Sequence, residues 1–280
     1  MNMIRRVISI KTLSRLLLYF WCIFAIYVFI WVIMSSLKEN REFFQNIWGL
    51  PVGFRYENYI TVLTRYALGT NFMNSLTVVL SSVFVLLVIC APAAYVFARI
   101  PFKGRTVMNR TFILGMGVPF QLMLIPLFFM MAGIGLTNTL TGLSLLYVVL
   151  SIPFTVFIMQ GFFKTLPREL EEAAMIDGCT PIITFLRIML PLGKPGLVTA
   201  AIFNFIFLWN EFLLALTFMS HRSNFTLPVG IYGMQGGMQY TGDWVALFAG
   251  FVIVALPTLV VYIIMSRQVI EGLTLGAVKE

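Results

Sequence analysis

The chain has 280 residues, of which 60% are hydrophobic and only 11% charged, against about 25% charged in a typical soluble domain. That composition excludes a soluble globular enzyme or binding module and indicates a polytopic membrane protein. A formal charge of +8 raises the possibility of a nucleic-acid partner, but the placement of the basic residues has another explanation, given below, and no nucleic acid is expected.

The first apolar run, 16–34, is uncharged and just long enough to cross a bilayer, where about 20 residues are needed. A cleaved signal peptide would have a shorter apolar part and a small-residue cleavage site; "SSLKENREFF" follows instead, so a retained span over 14–36 is expected. An external segment, 37–71, carries "ENREFF" and "FRYENY" and no identifiable chemistry beyond a cap. A second span is expected over 72–98. From Thr111 to Phe163 no residue is charged. That run is too long for one crossing, and the turn residues of "GIGLTNTLTG" (133–142) divide it into spans at 109–132 and 140–163. Spans at 197–219 and 245–266 complete six, with a loop at 164–196 and an external loop at 220–244. Pro92, Pro119, Pro126, Pro153 and Pro257 fall inside spans, which bundles tolerate because neighbours satisfy the freed carbonyls. The expected architecture is therefore an all-α membrane protein forming a single transmembrane domain over 1–280.

Orientation follows from lysine and arginine in the loops. The N-terminus, the second and fourth loops and the tail hold fourteen of them, including Arg5, Arg6, Arg99, Lys103, Arg105, Arg168 and Arg187; the alternate loops hold five, Lys38, Arg41, Arg55, Arg65 and Arg222. Both termini are expected on the cytoplasmic side, and the basic surplus is topogenic. Cys22, Cys90 and Cys179, with the single His221, lack metal-ligand spacing, so no metal site is expected.

The cytoplasmic loop carries "ELEEAAMIDG", which holds four of the chain's eleven acidic residues between Glu169 and Asp177. It reads as two short helices. The first begins near Thr165 with Pro167 in its first turn, Glu169, Glu171 and Glu172 early in the helix dipole, and Gly178 as the C-terminal cap. Thr180 and Pro181 then form an N-cap and first helical position, and the second helix stops at Pro191. In the first helix Leu170, Ala173, Ala174 and Asp177 share one face and Glu169, Glu172, Met175 and Ile176 lie roughly opposite. Two unlike faces suit insertion into a partner's cleft. A helix lying on the bilayer remains an alternative, although such helices usually carry Lys and Arg on the polar face; so does a solvated charge run. Catalysis is set aside: Glu171 and Glu172 are adjacent, point about 100° apart, and have no His, Ser or Cys arranged around them.

Glu211 is the only ionisable residue well inside a span, where charge is by default functional. With Asn204, Trp209 and Asn210 it forms a polar stretch. It is either a cavity-lining group on a translocation pathway or an inter-helix hydrogen bond that fixes a pair of subunits. The external "PVGIYGMQGGMQYTGDW" (228–244) has five glycines and reads as a flexible connector.

"EEAAMIDGCTPIITFLRIMLPLGKPG" resembles the EAA loop of permease subunits of bacterial ABC importers, through Glu172, Ala173, Ala174, Asp177, Gly178, Ile188, Leu190 and Pro191. "NSLTVVLSS", "AYVFARIPFKGR", "LWNEFLLAL" and "GLTLGAVKE" extend the resemblance to the carbohydrate-uptake permeases typified by the smaller permease of the maltose transporter. The resemblance implies a bacterial cytoplasmic-membrane protein with a sister permease, two ATPase subunits and an extracytoplasmic sugar-binding protein as partners, in contact with membrane lipid. It implies that the 165–191 loop, with Glu172 bonding a basic residue of the ATPase, couples ATP-driven closure to transport of a sugar, an oligosaccharide in the first instance. It further implies that Gly233, Gln235, Gly236 and Gly237 approach the binding protein and that the tail reaches between the ATPases. The absence of GxxxxGK[ST] fits ATP and Mg bound by separate subunits, with no cofactor on this chain and no enzymatic activity of its own. Two other classes, an ion-coupled secondary carrier and a membrane-embedded enzyme, fit less well: the EAA pattern opposes the first, and one intramembrane carboxylate does not equip the second.

Overall fold

In lipid a backbone must satisfy its own hydrogen bonds, and long apolar runs do so as helices. The computed structural model describes the backbone of residues 2–277 and the side chains of 12–238, 242–266 and 268. All regular elements among the described residues are helical: α1 (Asn2–Ser36), α2 (Asn40–Gln45), α3 (Glu57–Thr64), α4 (Leu68–Arg99), α5 (Arg105–Met116), α6 (Leu124–Gly133), α7 (Leu140–Thr165), α8 (Glu169–Ile176), α9 (Pro181–Thr184), α10 (Leu190–Leu192), α11 (Lys194–Trp209), α12 (Leu213–Phe218), α13 (Leu227–Thr241) and α14 (Trp244–Ala277). Pro92, Pro153 and Pro257 sit within helices as expected.

Four stretches are long and apolar enough to cross a membrane: Thr12–Ser36, Leu68–Arg99, Leu140–Thr165 and Trp244–Ser266. Two bent pairs reach six if each is one span: Arg105–Met116 with Phe120–Gly133, bent by 90°, and Pro181–Leu192 with Lys194–Trp209, bent by 69°. The expected third and fifth spans are therefore not straight rods. The first break falls at Pro119, which has no N–H to continue the ladder and is itself extended (ψ 118°). The second pair bends at Gly193; beyond it, α11 stops at Trp209 and helix resumes only at Leu213, so 197–219 is also interrupted around Glu211.

The chain falls into two compact units. The first comprises Met1–Gly69 and Ile231–Ala255. Most of α1 between Leu13 and Ile30 is exposed and apolar, as a lipid-facing span would be. The 37–71 segment is an ordered cap. Trp31 packs edge-on and Phe43 at a tilt against Phe248, with ring centroids 5.3 and 5.2 Å apart. Lys38 is buried, and its Nζ donates to the carbonyls of Asn46 (2.9 Å) and Ile47 (3.2 Å) beyond the C-terminus of α2, where a cation is favoured. Asp243 accepts from Asn40 at 3.0 Å and Tyr66 at 3.3 Å.

The second unit comprises Thr70–Gly230 and Leu256–Glu280. Its central element is α7, which packs against α5 and α11 and buries Tyr147, Met159 and Phe163. Gln160 ties α7 to α4 by donating to the Phe97 carbonyl at 3.0 Å. The start of α11 meets α7 at Gly196, where a Cβ would lie 2.6 Å from the Phe162 side chain; only glycine permits that approach.

Candidate functional site

The acidic island folds largely by local rules. Leu166 is extended (ψ 141°), as expected before a proline, and this ends α7 at Thr165. The first loop helix therefore starts at Glu169, not near Thr165, and Pro167 lies in the linker before it. Glu169, Glu171 and Glu172 occupy its first turn. Gly178 takes φ +76°, Cys179 N–H bonds the Ala174 carbonyl at 2.9 Å and Gly178 N–H that of Met175 at 3.1 Å. This pair of bonds is the Schellman end of a helix. Thr180 caps the next helix through the Ile183 N–H at 3.4 Å, with Pro181 in first position. That helix does not stop at Pro191. It passes through a π turn (Phe185–Met189) into α10 and ends at Leu192, the wider turn absorbing the proline's missing donor.

The faces of α8 differ from the expected ones. Ala174 is buried, whereas Ala173 and Asp177 are exposed together with Glu172, Met175 and Ile176; neighbouring alanines point about 100° apart, so both could not face inward. The inward polar residue is Glu171. Its carboxylate accepts from the Tyr95 hydroxyl at 2.8 Å and pairs with Arg99 Nε at 3.6 Å. The Arg99 side chain is 5% exposed and that of Glu171 14%, and Arg99 also donates to the Leu166 carbonyl. The loop is thus latched to the end of α4. The sequence reading assigned Arg99 only a topogenic role. Tyr95 and Arg99 stand one turn apart on one face of α4, a legible signal, but nothing local identifies their partner. The Glu172 side chain makes no hydrogen bond or ion pair among the described residues and borders, with Arg168 and Met175, a hollow of about 290 Å³.

The polar stretch near Glu211 divides in two. Asn204 and Glu211, seven residues apart, both face α7. Asn204, 2% exposed, donates to Thr155 Oγ1 at 2.9 Å and to the Ala200 carbonyl at 2.8 Å. Glu211, 7% exposed, accepts from Tyr147 at 2.7 Å and from the backbone N–H groups of Leu214 and Ala215 at 2.7 and 3.1 Å. Its carboxylate thereby satisfies the orphan donors where helix resumes after the break. Asn210 is not with them; it is exposed and donates to Ile206 and to Thr258 on α14. Asn204 lines a cavity of about 520 Å³ bounded by the α5–α6 pair, α7 and the α11–α12 pair.

The external glycine-rich stretch is not a loose connector. α13 covers Leu227–Thr241, with Ile231, Met234 and Met238 buried at helical spacing while Gly233, Gln235 and Gly236 are exposed. Gly236 and Gly237 have no neighbouring atom within 4 Å of a built Cβ. The tail expected between ATPases lies outside the described side chains, and residues 278–280 lie outside the described residues altogether.

Four helices long and apolar enough to cross a membrane, with two further bent pairs and a cavity of about 520 Å³ between helices, define a multi-pass membrane protein. A family model described as "Binding-protein-dependent transport system inner membrane component" matches residues 91–269. The diacetylchitobiose uptake system permease protein NgcG of Streptomyces coelicolor is 37% identical over 94% of this chain and 87% of its own length. The sulfoquinovosyl glycerol transport system permease protein SmoH of Agrobacterium fabrum is 37% identical over 89% of this chain and 87% of its own. Among solved structures, a chain of a bacterial ABC transporter involved in import of the acidic polysaccharide alginate superposes with a TM-score of 0.77 at 22% identity, covering 94% of this chain and 96% of that one, which is a likeness of fold. The chain belongs to the family of inner-membrane components of binding-protein-dependent transport systems.

Proposed function

We propose that the chain is the transmembrane permease subunit of an ATP-driven, binding-protein-dependent importer of sugars, most naturally oligosaccharides. It crosses the membrane six times with both ends cytoplasmic and forms half of the translocation pathway beside a sister permease. Two ATPase subunits, which bind ATP and Mg, dock on the 165–191 loop through Glu172, Ala173, Ala174, Asp177, Gly178 and Pro191. A sugar-binding protein delivers substrate at the external face and meets Gly233, Gln235, Gly236 and Gly237. Asn204 on α11, with Asn210 and Glu211 just beyond its end, are the candidate residues of the translocation pathway.

The observation that carries this reading is 37% identity over nearly the whole chain to a disaccharide-uptake permease. The loop supports it: Met175 and Ile176 are 64% and 87% exposed beside unpaired Glu172, an apolar and acidic surface suited to a basic cleft. The test is co-purification from the native membrane followed by radiolabelled sugar uptake in proteoliposomes. Glu172→Lys should insert and assemble, yet lower sugar-stimulated ATP hydrolysis about tenfold or more, as loss of an interfacial charge pair does. Normal uptake and hydrolysis in that variant refute the coupling role.

A further inference from the structure

We infer that the cavity between α5–α6, α7 and α11–α12 is a binding subsite for an uncharged saccharide, so that this subunit itself holds substrate. The inference rests on the importer reading above and adds the site, its residues and the charge of its ligand. The cavity's volume of about 520 Å³ lies within the range of about 300–1,000 Å³ usual for small-molecule sites. Phe120, Phe154, Phe203 and Phe207 contribute aromatic surface to its wall, which suits the apolar faces of pyranose rings.

Three polar groups interrupt that apolar wall: Tyr147, Ser151 and Asn204. Asn204 spends its amide donors on Thr155 and Ala200, and its Oδ1 has no hydrogen-bond partner among the described residues. Ser151 is 6% exposed, and its Oγ likewise has none. Neither atom is sealed from solvent in the way that Ser35 Oγ or Asn71 Oδ1 is, so each retains access to the cavity its residue lines. Tyr147 gives its proton to Glu211 and keeps its oxygen as an acceptor. Two acceptors and a hydroxyl that both donates and accepts match a ligand made of hydroxyl groups. A lipid chain or an apolar helix in this space would leave Asn204 and Ser151 unpaired.

The breaks at Pro119 and between Trp209 and Leu213 border the cavity, the first through Gly115, Met116 and Val118 and the second through Leu208 and Leu214. Irregular backbone at membrane depth is tolerated where it is buried in protein or lines a cavity, and here the Glu211 carboxylate closes the second break from behind Tyr147. No residue lining the cavity is charged. A uronate or sulfonate group would be buried there without a counter-ion, which is strongly disfavoured. The subsite therefore takes neutral sugars.

The complete transporter, purified in detergent without its binding protein, is titrated with radiolabelled trehalose, maltose, cellobiose and N,N′-diacetylchitobiose, and with an alginate disaccharide. At least one neutral sugar should bind saturably and the acidic one should not. Ser151→Ala should weaken that binding about tenfold, equivalent to about 1.4 kcal/mol, with the thermal midpoint unchanged. In a background with Cys22, Cys90 and Cys179 replaced by Ala, Ser151→Cys should react with a small water-soluble thiosulfonate and be protected by the bound sugar. Unchanged affinity in Ser151→Ala, equal binding of the alginate disaccharide, or a Ser151→Cys thiol that is unreactive or unprotected overturns the inference. A complex that imports one of these sugars in proteoliposomes yet binds none overturns it while the importer reading stands; one that neither binds nor imports any sugar overturns both.

Discussion

Removing the carboxylate of Glu171 separates a latch from a bystander. Arg99 and Glu171 lie 3.6 Å apart, with side chains 5% and 14% exposed. At an effective dielectric of about 20 their raw attraction is about 4–5 kcal/mol, most of it offset by desolvation. The net value of the pair is therefore small, but deleting one member is costly, because the other stays buried and uncompensated. Glu171→Met leaves the guanidinium with only the Leu166 carbonyl and should cost about 3 kcal/mol. Arg99→Met should cost less, about 1–2 kcal/mol, because Glu171 keeps Tyr95 and some access to water. The double variant Arg99→Met/Glu171→Met replaces the pair by apolar bulk and should return to within about 1 kcal/mol of the native protein. The assay is the thermal midpoint of the purified complex, where each kcal/mol corresponds to about 2–4 °C for a chain of this size; the same three variants are assayed for uptake. If the double variant loses the sum of the two single losses to within about 0.5 kcal/mol, the two residues are uncoupled and the latch does not exist.

Two further substitutions test local geometry. Glu211→Ala strands the N–H groups of Leu214 and Ala215 and the hydroxyl of Tyr147 in a buried site and should cost about 3–5 kcal/mol, whereas Glu211→Gln, which keeps one acceptor oxygen, should cost about half that; equal thermal midpoints for Glu211→Ala and the native complex would show that the carboxylate does not hold the break. Gly178→Val places a β-branched residue at φ +76° and should cost about 1–2 kcal/mol, with Gly178→Asn milder because asparagine tolerates the left-handed region; a valine variant as stable and as active as the native protein would refute the need for this turn.

Where a residue acts on its immediate neighbours, the sequence was readable. Gly178 as a helix stop and Thr180–Pro181 as a helix start depend on residues within five positions, and both turn out as expected. The partner of Glu171 was not readable, because Tyr95 lies 76 positions away and a salt bridge between loop and span leaves no periodic trace. Glu211 was flagged by being charged in a span, but its role as a cap followed only once helix was seen to stop at Trp209 and resume at Leu213. α13 was concealed by its glycines, each worth about 1 kcal/mol against helix. Burial of Ile231, Met234 and Met238 on one face overrides that deficit, and their i, i+3, i+7 spacing was the signal passed over. The break at Pro119 is visible as a proline, but a proline inside a span equally signals a tolerated kink.

The loop and the cavity are connected by one element. α10 ends at Leu192, and α11 begins at Lys194 after a 69° bend, then carries Phe203 and Asn204 into the cavity wall. The bend sits where α11 has least room to slide: a Cβ at Gly193 would lie 2.6 Å from the Phe163 ring, and one at Gly196 the same distance from Phe162. Close-packed interiors repack between discrete arrangements rather than deform smoothly. A force applied to the exposed face of α8 therefore has two routes into the membrane unit. One is the Glu171–Arg99 latch into α4, and the other is the bend into α11. Tilting α11 about the Phe162–Phe163 contact would move Asn204 against Thr155 and change the spacing of the polar groups around the cavity. If the loop docks on an ATPase as proposed, it steers the wall of the sugar subsite through these two routes and needs no further moving part in this subunit to join hydrolysis to release.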